Sequence, residues 1–257
     1  MKITFIGTSS GKTSLNRYHS SLLFTLENYN LLIDTGDGIS RALINSKINF
    51  NYINGILFTH LHPDHFSGLP SLIVQMKMMN RKENLEIFIH QSLLKVVKEF
   101  LISSYLLPER MSFKIEFKTF DDNKKIKVSE DFYFTARKNT HLNKLEKYQS
   151  EYPQLSLYSA SFLFEAEHKK IIYTSDIGSE EDLLLFNEIK FELFIDEITH
   201  ISIQSLLKKV EILQPRLIYL THYSDEEIPY INEILANLTN SLKEKVILAL
   251  DSLSIVF

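Results

Sequence analysis

The densest group of side chains with metal-binding chemistry lies in residues 59–65, which read THLHPDH. Three imidazoles and one carboxylate fall within six positions, in a chain with nine histidines altogether. Alternate residues of an extended segment point the same way, so His60 and His62 can share one cation. The proline that follows bends the chain and directs Asp64 and His65 toward a second point nearby. Imidazole and carboxylate groups bind zinc, iron and manganese, so the segment predicts a metal site rather than a polar loop.

Later predicted strands also end in residues of the ligand types. His141 comes shortly after the strand Phe132–Ala136, Asp176 follows IIYTS, and His222 follows LIYL. A carboxylate such as Asp176 can bridge two cations about 3.5–4 Å apart, because each of its oxygens faces one metal. A lone aspartate at a strand end is more often a helix cap, and a lone histidine is more often a surface residue. From the residue types alone, both interpretations stay open for each position.

The composition limits the classes of chemistry. The chain has no cysteine, which excludes disulfides, thiolate zinc sites, iron–sulfur clusters and thiolate catalysis. Its net charge of −4 gives no global basic field for nucleic acid. No apolar run reaches the roughly 18 residues that a membrane span needs. The first residues, MKITFIG, are too short a run for a secretory signal, so we expect a cytoplasmic protein with no membrane partner.

The predicted elements are strands that alternate with helices. Ser21–Leu26 and Leu31–Asp34 flank the turn-like ENYN and predict a hairpin. Residues Glu180–Ile189 predict a helix, and strand–helix alternation in both flanks of the chain predicts sheets covered by helices on their outer faces. Pro- or Gly-rich linkers are absent, so we predict one domain over residues 1–257.

Two short segments of the chain are similar to each other. Residues 56–60 read ILFTH and residues 218–222 read IYLTH, and both are predicted to be buried strands that end in Thr-His. Five residues are weak evidence for an internal duplication, but they predict that ligand-type side chains follow strands in both halves of the chain.

The motifs together resemble a known family. HLHPDH matches the H-x-H-x-D-H signature of the metallo-β-lactamase superfamily, and GTSSGK, LLIDTGDG and FTHLHPDHFSGLPSL resemble its ribonuclease Z-like phosphodiesterase branch. The resemblance covers nearly the whole chain. It implies an α/β fold, a four-layer αβ/βα sandwich of two mixed β-sheets flanked by helices. It also implies two divalent ions, zinc in the first place and manganese or iron as alternatives.

The resemblance assigns roles to individual residues. The first ion takes His60, His62 and His141, the second takes Asp64, His65 and His222, and Asp176 bridges the two. Asp34 in DTGDG would orient a ligand imidazole. His200 lies 22 positions before His222, where this branch has a catalytic histidine.

The implied reaction is hydrolysis of a phosphodiester in a nucleotide or nucleic acid. The nucleophile is hydroxide formed from metal-bound water, and Asp64 orients it or accepts its proton. His200 stabilises the developing charge or assists the leaving group. A structural alternative for His200 is to cap the helix that starts near Ser202.

The chain departs from the branch pattern in three places. Ser175 and Ile177 stand where the family has glycine and threonine on either side of Asp176. Asp176 also follows His141 by only 35 positions, with no Gly/Pro-rich arm of the kind that ribonuclease Z uses to hold tRNA. We therefore expect a small-molecule or nucleotide substrate, with RNA as a further possibility. The family often pairs, which makes a homodimer possible. The polar segment 137–152 is expected to be a solvated loop rather than a phosphate-binding or base-binding segment.

Three rival functions differ in class. An ester, lactone or thioester hydrolase could use the same metal site. An ATPase is suggested by the Gly7–Thr13 loop and the acidic strand end Asp196-Glu197, but the loop has three residues between its glycines where a P-loop has four. A binding module without catalysis is the third alternative, and the intact set of ligand-type residues disfavours it.

Overall fold

The computed structural model describes residues 1–256 and divides the chain into two compact units. The first unit consists of Met1–Asp121 together with the segment from Leu250, and the second is Asp122–Ala249. The prediction of a single domain over 1–257 stays a prediction, and its last residue lies outside the described residues.

Within the described residues, the first unit contains a mixed sheet of seven strands. Its elements are β1 (Lys2–Gly7), β2 (Ser21–Thr25), β3 (Asn30–Ile33), α1 (Ile39–Asn45), β4 (Gly55–Leu57), α2 (Pro63–Phe66), α3 (Leu69–Met78), β5 (Leu85–His90), α4 (Leu94–Ser103), β6 (Ile115–Phe120) and β14 (Ser254–Val256). Short 3-10 helices lie at Phe50–Tyr52, Gln91–Leu93 and Pro108–Arg110. The strand order is β14-β1-β2-β3-β4-β5-β6. Pairs from β14 to β3 are antiparallel, and pairs from β3 to β6 are parallel.

This strand arrangement positions the first group of candidate ligands. The predicted hairpin is formed by β2 and β3. Since β3 and β4 are parallel, their carboxyl ends lie at the same edge of the sheet, and Asp34 follows one while Thr59-His60 follows the other. Ligand sites in α/β sheets typically lie at this edge. Residues 22–24 and 31–33 are buried, as expected for strands covered on both faces.

The second unit has a mixed sheet of its own, with seven strands in the part of the chain that the structure describes. Its elements are β7 (Lys125–Ser129), β8 (Phe132–Lys138), β9 (Ala160–Ala166), β10 (Lys169–Tyr173), β11 (Leu193–Glu197), α5 (Ile203–Leu213), β12 (Leu217–Thr221), α6 (Ile228–Ala236), α7 (Asn240–Lys243) and β13 (Val246–Leu248). Short 3-10 helices lie at Asn143–Tyr148, Glu180–Leu184 and Asp225–Glu227. The strand order is β13-β12-β11-β10-β9-β8-β7. Strands β10 to β13 are parallel, and β7 to β10 pair antiparallel. Helices α5 and α6 contribute Leu206, Val210 and Ile231 to its buried core.

The helix predicted over Glu180–Ile189 is wrong, because only the 3-10 helix Glu180–Leu184 forms there. The Asp182 carboxylate accepts hydrogen bonds from the backbone N–H groups of Gly178 and Ser179 and from the hydroxyl of Thr140. The Asp182 side chain therefore links the 3-10 helix to the residues that precede it and to the loop after β8. These contacts fix residues 180–184 in a short 3-10 helix.

Among residues 1–256, no helix combines the length and apolar character that crossing a membrane requires.

Candidate functional site

The first unit brings the imidazoles of the HLHPDH segment together. The ring centroids of His60 and His62 lie 4.7 Å apart, and those of His60 and His65 lie 4.2 Å apart. One ring nitrogen of His60 is within 4.8 Å of one in His62. The second predicted pair is also close, since Asp64 Oδ2 lies 3.4 Å from His65 Nε2. His60 and His65 are fully buried, so these polar rings are shielded from solvent.

Asp34 organises this segment from the end of β3. Its buried carboxylate accepts hydrogen bonds from the backbone N–H of Thr59 at 2.9 Å, from the Thr59 hydroxyl at 2.8 Å and from His65 Nδ1 at 2.8 Å. Burial raises the pKa of Asp34, and the hydrogen bonds from His65 and Thr59 act in the opposite direction. Because Nδ1 of His65 is held by Asp34, its Nε2 is the nitrogen directed toward Asp64. This is the orienting contact that the family resemblance implies.

A glycine lets the two loops of the first unit pack backbone to backbone. Thr35 N–H donates to the carbonyl of His65 at 2.6 Å, and Gly68 N–H donates to the carbonyl of Thr35 at 2.8 Å. A Cβ atom on Gly36 would lie 1.8 Å from the carbonyl oxygen of Asp64, so no larger residue fits without moving that backbone. Gly36, the first glycine of DTGDG, is therefore required because the Asp64 backbone approaches it closely, and not because of its own backbone angles.

The second unit brings the other three candidate ligands together, with His141 and His222 both close to Asp176. His222 Nε2 lies 3.3 Å from Asp176 Oδ1, and His141 Nε2 lies 3.7 Å from Asp176 Oδ2. The two carboxylate oxygens thus face two different imidazoles, and Asp176 and His222 are almost fully buried. A carboxylate with its oxygens divided in this way has the geometry of a bridging ligand.

The loops that carry these candidate ligands are held by Asn139 and Asp182, which the sequence motifs do not identify. Asn139 Nδ2 donates to the carbonyl of Asp176 at 2.9 Å, and its own Oδ1 accepts from His141 N–H at 3.2 Å. Asp182 Oδ2 accepts from the Thr140 hydroxyl at 2.6 Å. The Ser179–Asp182 capping box is a sequence signal for Asp182, but it predicts a helix start rather than this loop contact.

Backbone strain is concentrated beside these ligands. Asp34, Ser175 and His222 have φ angles of 60°, 53° and 54°, in the left-handed region that favours glycine. Such strain commonly collects at functional sites. Ser175 therefore stands, in place of the family's glycine, at a position where glycine would have the lower conformational energy.

We expect Ser175→Gly to be more stable than Ser175→Ala by about 1 kcal/mol, because only glycine adopts this φ without strain. At an ordinary backbone position the order is reversed, and glycine is less stable than alanine by about 0.5–1 kcal/mol. Both variants remove the buried hydroxyl, so their difference isolates the backbone term. Urea unfolding of the two proteins measures it, and an alanine variant that equals or exceeds the glycine variant contradicts the prediction.

His200 is fixed by a buried glutamate from the end of β11. Its Nδ1 lies 3.0 Å from Glu197 Oε1, and its backbone N–H donates to Glu197 Oε2 at 2.9 Å. The ring centroid of His200 lies 4.8 Å from that of His141 and 5.8 Å from that of His222. Because Glu197 accepts from Nδ1, the Nε2 atom of His200 is left to face other groups. The capping alternative is wrong, because Ser202 caps α5 by accepting from Ser205 N–H.

The two features that suggested an ATPase have other roles. The loop after Gly7 pairs its backbone within itself, since Ser9 N–H donates to Tyr18 and Ser20 N–H donates to Ser9, and strand β2 follows it rather than a helix. On β11, burial and the neighbouring charge of Glu197 raise the pKa of Asp196 well above its ordinary value. Asp196 is fully buried, and Glu197 accepts hydrogen bonds from the backbone N–H groups of Thr199 and His200, so this strand end is used within the fold.

The segment 137–152 gives little support to phosphate binding. Arg137 Nη2 lies 2.5 Å from a carboxylate oxygen of Glu188, and its guanidinium lies over the ring of Phe186 at 4.5 Å from the centroid. Lys144 and Lys147 are exposed on the 3-10 helix Asn143–Tyr148. The exposure of these two lysines agrees with the expectation that residues 137–152 form a solvated loop.

Comparison with solved structures identifies the fold. The chain is similar to the metallo-β-lactamase fold protein YhfI from Bacillus subtilis, with a TM-score of 0.76, 15% identity and coverage of 99% of this chain and 98% of that one. It is also similar to the short form of human tRNase Z, with a TM-score of 0.73, 20% identity and coverage of 100% and 99%. The predicted fold class, two mixed β-sheets flanked by helices, is confirmed.

Among curated proteins, the chain is 38% identical to the ribonuclease Z of Metallosphaera sedula over 128 residues, which cover 50% of this chain and 43% of that protein. The chain therefore matches less than half of that relative's length. With the HLHPDH motif and the two sheets, these likenesses confirm the predicted resemblance to the ribonuclease Z-like branch of the metallo-β-lactamase superfamily. The sequence model of the anti-Pycsar protein Apyc1 family matches residues 1–242, and the chain belongs to this family.

Proposed function

We propose that the protein is a metal-dependent hydrolase that cleaves a phosphodiester bond of a nucleotide or nucleic acid. The observation that carries this proposal is the placement of His200, which Glu197 holds beside His141 and His222. A phosphodiester benefits from an added imidazole that stabilises the charge on its phosphoryl oxygens or protonates the leaving oxygen, whereas a neutral lactone or thioester has no phosphoryl charge to stabilise. Relatives named ribonuclease Z support the same class of reaction.

The donor chemistry of both units fits divalent metal ions. Each unit presents buried imidazoles beside a carboxylate, and neither contains a thiolate or an excess of positive charge at these residues. The proposal assigns one ion to His60, His62 and His141, a second to Asp64, His65 and His222, and both to Asp176. Zinc suits such ligands, and manganese and iron are the alternatives. When bound, these ions would supply Lewis acidity and lower the pKa of water.

The residues of the chain have separate tasks in this reaction. Asp64 is placed to orient the attacking water and to accept its proton, while Asp34 fixes the ring of His65 beside it. Glu197 holds the Nδ1 side of His200, so a proton on Nε2 can be donated to the leaving oxygen or stabilise the phosphoryl charge. The rings of His60, His65 and His222 are buried, which shields these ligand residues from bulk solvent.

The runner-up is hydrolysis of an ester, lactone or thioester by the same residues. We expect bis-p-nitrophenyl phosphate and cyclic nucleotides to be turned over at least about 100-fold faster than lactones, because an imidazole that stabilises the charged phosphoryl oxygens or protonates an alkoxide leaving group contributes about 10²–10⁴-fold to phosphodiester cleavage. A substrate panel assayed with added zinc or manganese measures this ratio. Faster lactone turnover would replace the proposed function by the runner-up, and no metal-dependent turnover of any substrate would favour a binding module.

A further inference from the structure

A cavity of about 670 Å³ lies in the first unit between the end of α4, the loop that follows it and the edge strand β6. Its volume is within the roughly 300–1,000 Å³ range of small-molecule sites. None of its lining residues belongs to the predicted metal or catalytic residues.

The walls of the cavity are apolar. Leu101 of α4 and Leu106 and Phe113 of the following loop are buried in it. Ile115 and Phe117 lie two residues apart on β6, so they share one face of the strand and form the opposite wall. A pocket with this lining favours the hydrocarbon part of a ligand.

The rim of the cavity is positively charged. Lys82, Lys98 and Lys114 belong to its lining, and the lining contains no aspartate or glutamate. Lys114 Nζ lies 2.8 Å from Glu116, which neutralises part of this charge. Lys98 Nζ lies 5.2 Å from the centre of the Phe117 ring, so one cation stands directly over the apolar wall.

The cavity lies away from the HLHPDH segment within this unit. Lys82 and Asn84 precede β5, and Lys114 and Ile115 lie at the start of β6, so the cavity is at the amino ends of these parallel strands. The HLHPDH segment follows the carboxyl end of β4, which is parallel to β5. A strand rises about 3.3 Å per residue, so the length of β5 separates the two ends of the sheet by roughly 20 Å.

We propose that this cavity binds an amphipathic organic anion, a hydrocarbon chain or ring that carries a single negatively charged head group. The apolar walls take the hydrocarbon, and Lys82 and Lys98 take the head group at the rim. The site is separate from the proposed hydrolase residues, so a ligand bound there is not the substrate of that reaction.

Calorimetric titration with three ligands of equal chain length tests the proposal: octanoate, 1-octanol and octylammonium. Octanoate is expected to bind with one site per chain and a Kd at least about tenfold lower than that of 1-octanol, because only its head group pairs with a lysine. A tenfold difference in Kd corresponds to about 1.4 kcal/mol of binding free energy. Octylammonium is expected to bind more weakly than either. Equal affinity for all three ligands, or no binding of octanoate, overturns the proposal.

Charge reversal at the rim locates the site. Lys98→Glu is expected to weaken octanoate binding at least about tenfold, because it places a carboxylate at the head group. Lys127→Glu on β7 reverses an exposed lysine that does not line the cavity, and it is expected to leave the octanoate Kd unchanged. Ile102→Glu changes an exposed lining residue and is expected to weaken binding as well. Wild-type affinity in both Lys98→Glu and Ile102→Glu would place binding elsewhere and overturn the proposal.

Discussion

His200→Ala is expected to keep the metal content of the wild-type protein and to lose phosphodiesterase turnover by about 10²–10⁴-fold. The substitution removes a ring that Glu197 holds at 3.0 Å, and the proposal does not use this ring as a metal ligand. Steady-state turnover of a cyclic nucleotide, whose leaving group is an alkoxide, and elemental analysis of the same preparation provide the two measurements. The loss should fall on kcat, because the ring acts as charge develops on the leaving group.

Two further variants separate this role from a general effect of losing an imidazole. His168→Ala removes an exposed histidine from the turn between β9 and β10 and is expected to retain full turnover. With an activated p-nitrophenyl leaving group, His200→Ala should lose less turnover than with an alkyl leaving group, since p-nitrophenolate needs little protonation. Unchanged kcat on both substrates would remove the role assigned to His200.

Asp176→Asn is expected to lose at least one metal equivalent per chain, together with most of the hydrolase activity. The two oxygens of Asp176 lie 3.3 Å and 3.7 Å from the Nε2 atoms of His222 and His141. In the variant an amide nitrogen replaces one of these oxygens, and an amide nitrogen does not coordinate a metal ion. Elemental analysis after dialysis against metal-free buffer measures the stoichiometry. A circular dichroism melt confirms that the variant is folded.

The matched control is Asp131→Asn, which makes the same chemical change in the exposed turn between β7 and β8. This variant should keep the wild-type metal content and activity. Full occupancy in Asp176→Asn would contradict the bridging assignment, while loss of metal in both variants would indicate adventitious surface binding.

The sequence was sufficient for the parts of the site that depend on local spacing. The i, i+2 spacing of His60 and His62 and the position of Asp34 after a strand are properties of a few residues, and the structure places these rings and this carboxylate in contact. The β2–β3 hairpin was also predictable, because a polar tetrapeptide separates two apolar runs of matching length.

The supporting residues depend on tertiary contacts and could not be found in this way. From the sequence alone Glu197 is the end of an acidic strand, and only its 3.0 Å distance to His200 Nδ1 assigns it a role. Asn139 and Asp182 each join two loops that are far apart in the sequence, by about 40 positions, and no pattern of spacing encodes such a contact.

The similar segments ILFTH and IYLTH occupy different positions in their two sheets. In the first unit the segment begins in β4, which is the first parallel strand after a hairpin, and its histidine follows the strand. In the second unit the segment begins in β12, which is the second parallel strand after the β9–β10 hairpin, and its histidine again follows the strand. The two histidines therefore occupy different places in their sheets, and the similarity reflects the common requirement for a buried strand followed by a ligand-type residue.

The pairing of β14 with β1 has a consequence for synthesis on the ribosome. One edge of β1 has its partner only when residues 254–256 return to it, after the whole second unit has been translated. Until then the nascent chain presents an apolar strand with an unpaired edge, a surface on which chaperones act and from which intermolecular association starts. The second unit is continuous in sequence, so its sheet can form before β14 is added to the sheet of the first unit.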